Sequence, residues 1–233
     1  MNPVMVITGT RKGIGRFMVD RYLQRGYLVA GCSREPFEGK PPENYHHYCM
    51  DVADEVRVVE MVRDVARRFG GISVLINNAG IAAMNHMLLT PMATIERVFR
   101  TNVFGTFLVM REVAKVMSAA KCGRIVNFAT VATPLNLEGE SGYAASKAAV
   151  ESLTRVAARE LAHFQITVNA VGPTPVLTDL VRNVPQHKMD ALIAAQAIRR
   201  MGEYRDVANV IDFFIDGESD FITGQTVYLG GVN

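Results

Sequence analysis

Short apolar runs rich in β-branched residues alternate along this chain with longer segments whose apolar residues recur every three or four positions. The runs VMVIT (4–8), YLVAGC (27–32), HHYCM (46–50), SVLIN (73–77), RIVNFAT (124–130), ITVNAV (166–171) and TVYLG (226–230) have the length and composition of strands. Segments 14–25, 54–69, 92–119, 143–163 and 204–215 carry the helical period. Strands that are apolar on both faces suit a parallel sheet covered on both sides, and the alternation suits βα units. The pattern therefore predicts an α/β fold, a single doubly wound domain over residues 1–233. It should hold about seven parallel strands with helices on both faces. A two-domain division has little support, because the last strand arrives only at 226 and must complete the sheet begun at residue 4. The one linker-like stretch, Pro36 to Pro42, is short enough to be a surface loop.

Composition narrows the class. The 233 residues are 49% hydrophobic and 21% charged, which excludes wholesale disorder. No apolar run reaches the roughly 20 residues of a membrane span, and no membrane partner is expected. The opening MNPVMVITGT lacks a basic stretch and a cleavage site and enters a strand at once, so a secretory signal is not expected. The net charge of +2 is too mild to imply nucleic acid. Cys32, Cys49 and Cys122 are odd in number and show no CxxC spacing, which reads as reduced thiols in a cytoplasmic protein. The five histidines lack metal-ligand spacing, and no metal site is expected. Methionines such as Met84, Met87 and Met110 are expected to fill the core.

Chemistry enters at the first turn. After β-like residues 4–8 comes Thr8-Gly9-Thr10-Arg11-Lys12-Gly13-Ile14-Gly15, followed by an amphipathic segment. A dinucleotide pyrophosphate needs close approach to the backbone and the free N–H groups of a helix N-terminus. Glycines at 9, 13 and 15 would allow both, in the manner of a Rossmann-type fold. A tight βα turn with no ligand is the alternative reading. An NAD site usually carries an acidic residue at the end of the second strand, but here that strand ends Cys32-Ser33-Arg34. Arg34, with Arg11 or Lys12, suits a ribose 2′-phosphate, so NADP(H) is expected over NAD(H). Glu35 would favour NAD(H) if it points inward.

Tyr143 and Lys147 lie one helical turn apart within YAASK, so phenol and ammonium can face one site. Together with TGTRKGIG (8–15), Asp51-Val52, Asn77-Asn78-Ala79-Gly80, Asn102 in TNVFGTF, NAVGPTPVLT (169–178) and ITGQ (222–225), these residues resemble the short-chain dehydrogenase/reductase family. The likeness is to its main single-domain subfamily, and the motifs run in order over nearly the whole chain. The resemblance implies a catalytic set of Asn102, Thr130, Tyr143 and Lys147. Thr130 stands where the family has serine, and Thr133 and Ser141 are the other nearby hydroxyls. It also implies a cofactor held by Gly9, Arg11, Lys12, Gly13, Ile14, Gly15 and Arg34, with Asp51 and Val52 at the adenine. Asn78, Ala79 and Gly80 would wall the ribose, Tyr143 and Lys147 would also touch the cofactor, and Pro173, Thr174, Val176 and Thr178 would flank the nicotinamide. Thr174 departs from the family's usual glycine.

On that reading, hydride passes between nicotinamide and a carbonyl or secondary alcohol of a small molecule while Tyr143 exchanges the proton. Lys147 and the oxidised nicotinamide are expected to pull the phenol below its ordinary value near 10, and Asn102 to hold a water that links Lys147 to solvent. Residues around 175–202, including Leu177, Leu180, Val181 and Val184, are expected to form a lid, with Leu135 and Leu137 nearby. One sub-reading resembles the 3-oxoacyl-[acyl-carrier-protein] reductases, with a carrier-linked substrate docking on Arg97, Arg100 and Arg124. Another is a sugar- or secondary-metabolite-modifying reductase. A catalytically weak or inactive dinucleotide-sensing regulator is the rival. A homotetramer, or a homodimer through the long helices, is implied as well.

Overall fold

In a computed structural model, which describes residues 2–178 and 184–232, seven parallel strands form one sheet in the order β3-β2-β1-β4-β5-β6-β7. They are β1 (Val4–Thr8), β2 (Leu28–Ser33), β3 (Tyr45–Cys49), β4 (Val74–Asn77), β5 (Gly123–Phe128), β6 (Ile166–Gly172) and β7 (Thr226–Tyr228). All seven expected strands are present, most of them to within two residues. β7 stops at Tyr228 because Leu229–Gly231 turn away, with Gly230 at φ +78°. It pairs with β6 through Ala170 opposite Thr226, so the last segment of the chain completes the sheet as expected.

Five helices cover the two faces: α1 (Gly13–Gln24), α2 (Glu55–Phe69), α4 (Thr106–Ala120), α6 (Ser141–Leu161) and α8 (Tyr204–Ile215). Shorter helices are α3 (Met92–Phe99), α5 (Ala132–Leu135) and α7 (Gln186–Ala194). One core packs α2, α4 and α6 against Val6, Ala30, Leu75, Ile125 and Val168. The other packs α1 and α8 against Met5, Ile7, Val29, Ile76 and Val126. Neighbours such as Leu75 and Ile76 point to opposite layers, which is why the strands read as unbroken apolar runs rather than alternating ones.

Two expectations need revision. The helical stretch expected over 92–119 is interrupted: Arg100–Gly105 between α3 and α4 is π-helical, and Asn102 lies inside it. Met84 and Met87 are exposed rather than core, because both sit in the connection after β4 and on no packed helix face, whereas Met110 is buried on α4. Among the described residues, no helix is long and apolar enough to cross a membrane, and no cluster of three metal-ligating residues occurs.

Candidate active site

The strand order reverses direction beside β1, and the connections after β1 and β4 open there into a crevice at the carboxyl ends of the strands. Gly9 has φ +75° and Gly13 φ +61°, in the left-handed region that glycine enters freely. A Cβ on Gly15 would lie 2.1 Å from the Gly9 carbonyl oxygen, so the turn closes only on glycine. Lys12 occupies the N-cap of α1 without a side-chain cap hydrogen bond, and the first-turn N–H groups face the crevice mouth. Asn78 staples the floor: its Nδ2 donates to the carbonyls of Thr8 (2.9 Å) and Gly9 (3.1 Å). The Ala79 N–H donates to Thr8 Oγ1 at 2.9 Å.

This crevice is a cavity of about 590 Å³ lined by the glycine turn, Arg11, Lys12 and Arg34 on one side. Asp51, Val52 and the Asn78–Gly80 backbone line the other. Asp51 Oδ1 accepts from the Ala53 N–H (3.0 Å), and Val52 is buried against Gly105, where a Cβ would meet its Cγ2 at 2.5 Å. Thr178 closes over Gly13 from the far side. Glu35 also lines this crevice, the inward placement that would favour NAD(H), but Arg11 ion-pairs with it at 2.8 Å, and the exposed Arg34 side chain lines the mouth beside it. The size, the glycine-rich turn and the flanking cations fit a dinucleotide.

A second cavity of about 380 Å³ adjoins the first through Asn78, Gly80 and Thr178. Thr130, Tyr143 and Lys147 all line it, as do Ile14, Pro173, Thr174 and Val176, whereas Thr133 and Ser141 do not. Thr130 Oγ1 accepts from the Ala132 N–H at 3.2 Å and also pairs with the Tyr143 phenol. Lys147 is buried, and its Nζ donates to the Phe128 carbonyl at 2.8 Å. Burial draws its pKa down to about 8, against the opposing pull of the Glu151 carboxylate one turn on. The phenol moves the other way: burial pushes Tyr143 up to about 12, the Thr130 hydrogen bond lowers it in part, and the Glu140 carboxylate adds to the rise. Among the chain's own groups burial outweighs the Thr130 hydrogen bond, and the expected lowering draws also on the positive charge of an oxidised nicotinamide.

Asn102 lies behind Gly80 at this site, lining neither cavity, and its side chain makes three hydrogen bonds. Oδ1 accepts from the Ile81 N–H (2.9 Å), and Nδ2 donates to the Ile81 carbonyl (2.9 Å) and to Ser146 Oγ (3.0 Å). It fastens the loop after β4 to α6, and Oδ1 keeps a second lone pair. Thr174, which replaces the family's glycine, is buried against two glycines: Cβ atoms on Gly202 and Gly230 would come within 2.8 Å and 2.7 Å of it. Arg124 does not belong to any docking patch at this site. It lies at the opposite end of β5, where its guanidinium reaches the carbonyls of Asp216 and Gly217.

Leu135, Leu137 and Val184 line the second cavity and Leu177 the first, while Leu180 and Val181 fall outside the described residues. Sequence reasoning did not single out Glu138, Glu140 and Lys188, which line the second cavity. For Glu140 a signal existed, since it stands one turn before Tyr143 on the same helix face. Lys188 arrives from α7 with no local mark.

A doubly wound sheet with a glycine-rich first turn, and a Tyr–Lys pair opening onto the same crevice, defines a nucleotide-dependent oxidoreductase. The short chain dehydrogenase family profile matches residues 3–189, and the chain belongs to that family as an NAD(P)-dependent oxidoreductase. It is 32% identical to the 3-oxoacyl-[acyl-carrier-protein] reductase of Staphylococcus epidermidis, with 99% of this chain and 98% of that protein aligned. The Salmonella typhimurium protein of the same name is 27% identical, over 98% of this chain and 96% of its own. Among solved structures, ElxO with NADP bound is 30% identical with a TM-score of 0.88, covering 98% of this chain and 97% of that one. NAD+-bound xylitol dehydrogenase is 28% identical with a TM-score of 0.88, covering 98% of each.

Proposed function

We propose that this protein is an NADP(H)-dependent carbonyl reductase, or secondary-alcohol dehydrogenase, acting on a small molecule. The observation that carries the reading is the opening of Thr130, Tyr143 and Lys147 onto one cavity continuous with the glycine-lined crevice. When bound, the nicotinamide supplies or accepts the hydride. Tyr143 then gives its phenolic proton to the carbonyl oxygen in reduction and takes it back in oxidation. Thr130 donates a hydrogen bond to that oxygen as charge develops. Lys147, held on the Phe128 carbonyl, supplies positive charge beside the phenol and a donor for the cofactor ribose. Asn102 fixes the loop and helix that carry them, acting as a positioning residue.

Gly9, Gly13 and Gly15 would admit the pyrophosphate, with Asp51 and Val52 at the adenine. Ile14 with Asn78 to Gly80 would form the inner wall, and Pro173, Thr174, Val176 and Thr178 would flank the nicotinamide. The preference for NADP(H) rests on Arg34 and Lys12 at the mouth, with Glu35 tied to Arg11. Val176, Val184, Met189 and Leu192 would cover the substrate. Exposed Phe104, Phe107 and Val156 on the outer helical face support assembly into a homodimer or homotetramer. The unpaired Cys32, Cys49 and Cys122 suit a reducing cytoplasm.

A carrier-linked 3-oxoacyl substrate, which the relatives' names suggest, is less well supported. Glu138, Glu140 and Lys188 break the apolar wall, and Arg124 is at the wrong end of the sheet. The test is NADPH oxidation at 340 nm against ketones and 3-oxoacyl thioesters. Tyr143→Phe is expected to cut kcat by 10²–10⁴-fold while NADPH binding survives. Near-normal kcat in that variant removes Tyr143 as the proton donor, and binding without turnover by the native chain selects the regulatory reading instead.

A further inference from the structure

Glu140 stands at the N-cap of α6, where an acidic side chain ordinarily accepts a hydrogen bond from the first turn. It makes no such bond. Its carbonyl accepts from the Ala144 N–H at 2.7 Å, and among the described residues its carboxylate has neither a hydrogen bond nor an ion pair. The carboxylate instead lines the substrate cavity beside Tyr143. Gly139, at φ +82°, makes the turn before it, and its carbonyl accepts from the Asn85 N–H at 2.8 Å. The Lys188 ammonium reaches in from α7: a Cβ on Gly139 would lie 3.8 Å from its Nζ. Glu140 and Lys188 thus share one wall of an otherwise largely apolar cavity without touching each other, with the exposed Glu138 beside them.

We propose that Glu140 and Lys188 together determine specificity by binding a substrate hydroxyl near the reacting carbon, so that the pocket takes hydroxy-ketones and their diol counterparts over unsubstituted ketones. Among small polar groups, a hydroxyl both donates to a carboxylate and accepts from an ammonium. A charged substrate group pairs with one of the two and is repelled by the other, whereas a hydroxyl pairs with both. Both side chains line the cavity that Tyr143 lines, and Glu140 precedes Tyr143 by three residues. Burial raises the Glu140 pKa and Lys188 opposes the rise, as expected for a carboxylate held partly out of water beside a cation. A ketone lacking the hydroxyl leaves that carboxylate unpaired when it fills the cavity, and a site built to pair with a hydroxyl rejects the analogue that lacks one.

The inference rests on the redox reading above, and the experiment separates the two. NADPH oxidation is followed with the matched pairs 3-hydroxy-2-butanone and 2-butanone, and 2-hydroxycyclohexanone and cyclohexanone. In the native chain, kcat/KM is expected to be at least tenfold higher for the hydroxylated member of a pair. Glu140→Leu should bring the ratio to within about twofold, with the loss falling on the hydroxylated member. Glu140→Gln, which keeps an acceptor and an N-cap-compatible shape, should retain part of the preference. Turnover of both members at equal efficiency by the native chain, or an unchanged ratio in Glu140→Leu, overturns the inference and leaves the redox reading standing. No turnover of any of the four carbonyls overturns the redox reading and this inference with it.

Discussion

Replacing Lys147 by methionine is expected to make the protein more stable at neutral pH while removing its activity. The ammonium is buried, with one protein carbonyl accepting from it at 2.8 Å, and burial holds its pKa at about 8 against the ordinary 10.5. The gap of about 2.5 pH units corresponds to roughly 3 kcal/mol of destabilisation when the group is charged. The folded value lies below the unfolded one. Below pH 8 both states are therefore charged and the folded state carries the whole penalty. Between pH 8 and 10.5 the unfolded state binds more protons, so stability rises with pH. Methionine has similar length and no charge, and removes the penalty while forfeiting a charged hydrogen bond worth about 1.5–2 kcal/mol. The net gain at pH 7 is about 1–1.5 kcal/mol, or roughly 2–6 °C in Tm for a chain of this size. Paired urea titrations at pH 7 and pH 10 make the measurement. At pH 10 most of the penalty is relieved, so the two proteins should converge or change order. A methionine variant less stable at pH 7, or a difference that is the same at both pH values, would refute the assignment of a desolvated ammonium.

Other substitutions probe neighbouring parts of the site by kinetics and binding. Thr130→Val deletes the hydroxyl that pairs with Tyr143 and should lower kcat by about 10²-fold, as loss of one oxyanion donor does, whereas Thr130→Ser should stay within a few-fold of the native rate. Arg34→Ala should reduce kcat/KM for NADPH by about 10–100-fold, the loss of one charge-assisted hydrogen bond, with little change for NADH. Equal losses with both nucleotides would place Arg34 outside the 2′-phosphate contact. Gly15→Ala drives a methyl into the Gly9 carbonyl and should abolish NADPH binding, read by fluorescence titration.

Much of this architecture was legible because its signals are local. Parallel strands buried on both sides leave apolar runs, and Val4–Thr8 or Ile166–Gly172 can be read directly. Tyr143 and Lys147 are a turn apart, so their convergence needs only a helix. What the sequence did not disclose depends on contacts between distant segments. The π-helical stretch Arg100–Gly105 differs from α-helix by a slip in hydrogen bonding that the spacing of apolar residues does not mark, yet it holds the Asn102 amide that joins Ile81 to Ser146. The direction of the Tyr143 shift depends on how deeply the phenol is buried, which is a property of the assembled cavity.

Thr174 makes the same point from the opposite side. Read alone, a threonine where the family has glycine suggests a disturbed nicotinamide pocket. In the folded chain Thr174 still lines the cavity, and its side chain packs into space left by Gly202 and Gly230, one in the connection after α7 and one after β7. The departure is accommodated by two residues that contribute no side chain, and neither lies near it in sequence. Glu140, half-buried, and Lys188, exposed, form the complementary case, since both place charge on a wall of an otherwise largely apolar cavity. A departure that its neighbours absorb points to tolerance, and one that leaves a polar group unpaired in the site points to a ligand. By that criterion the specificity of this enzyme is written at Glu140 and not at Thr174.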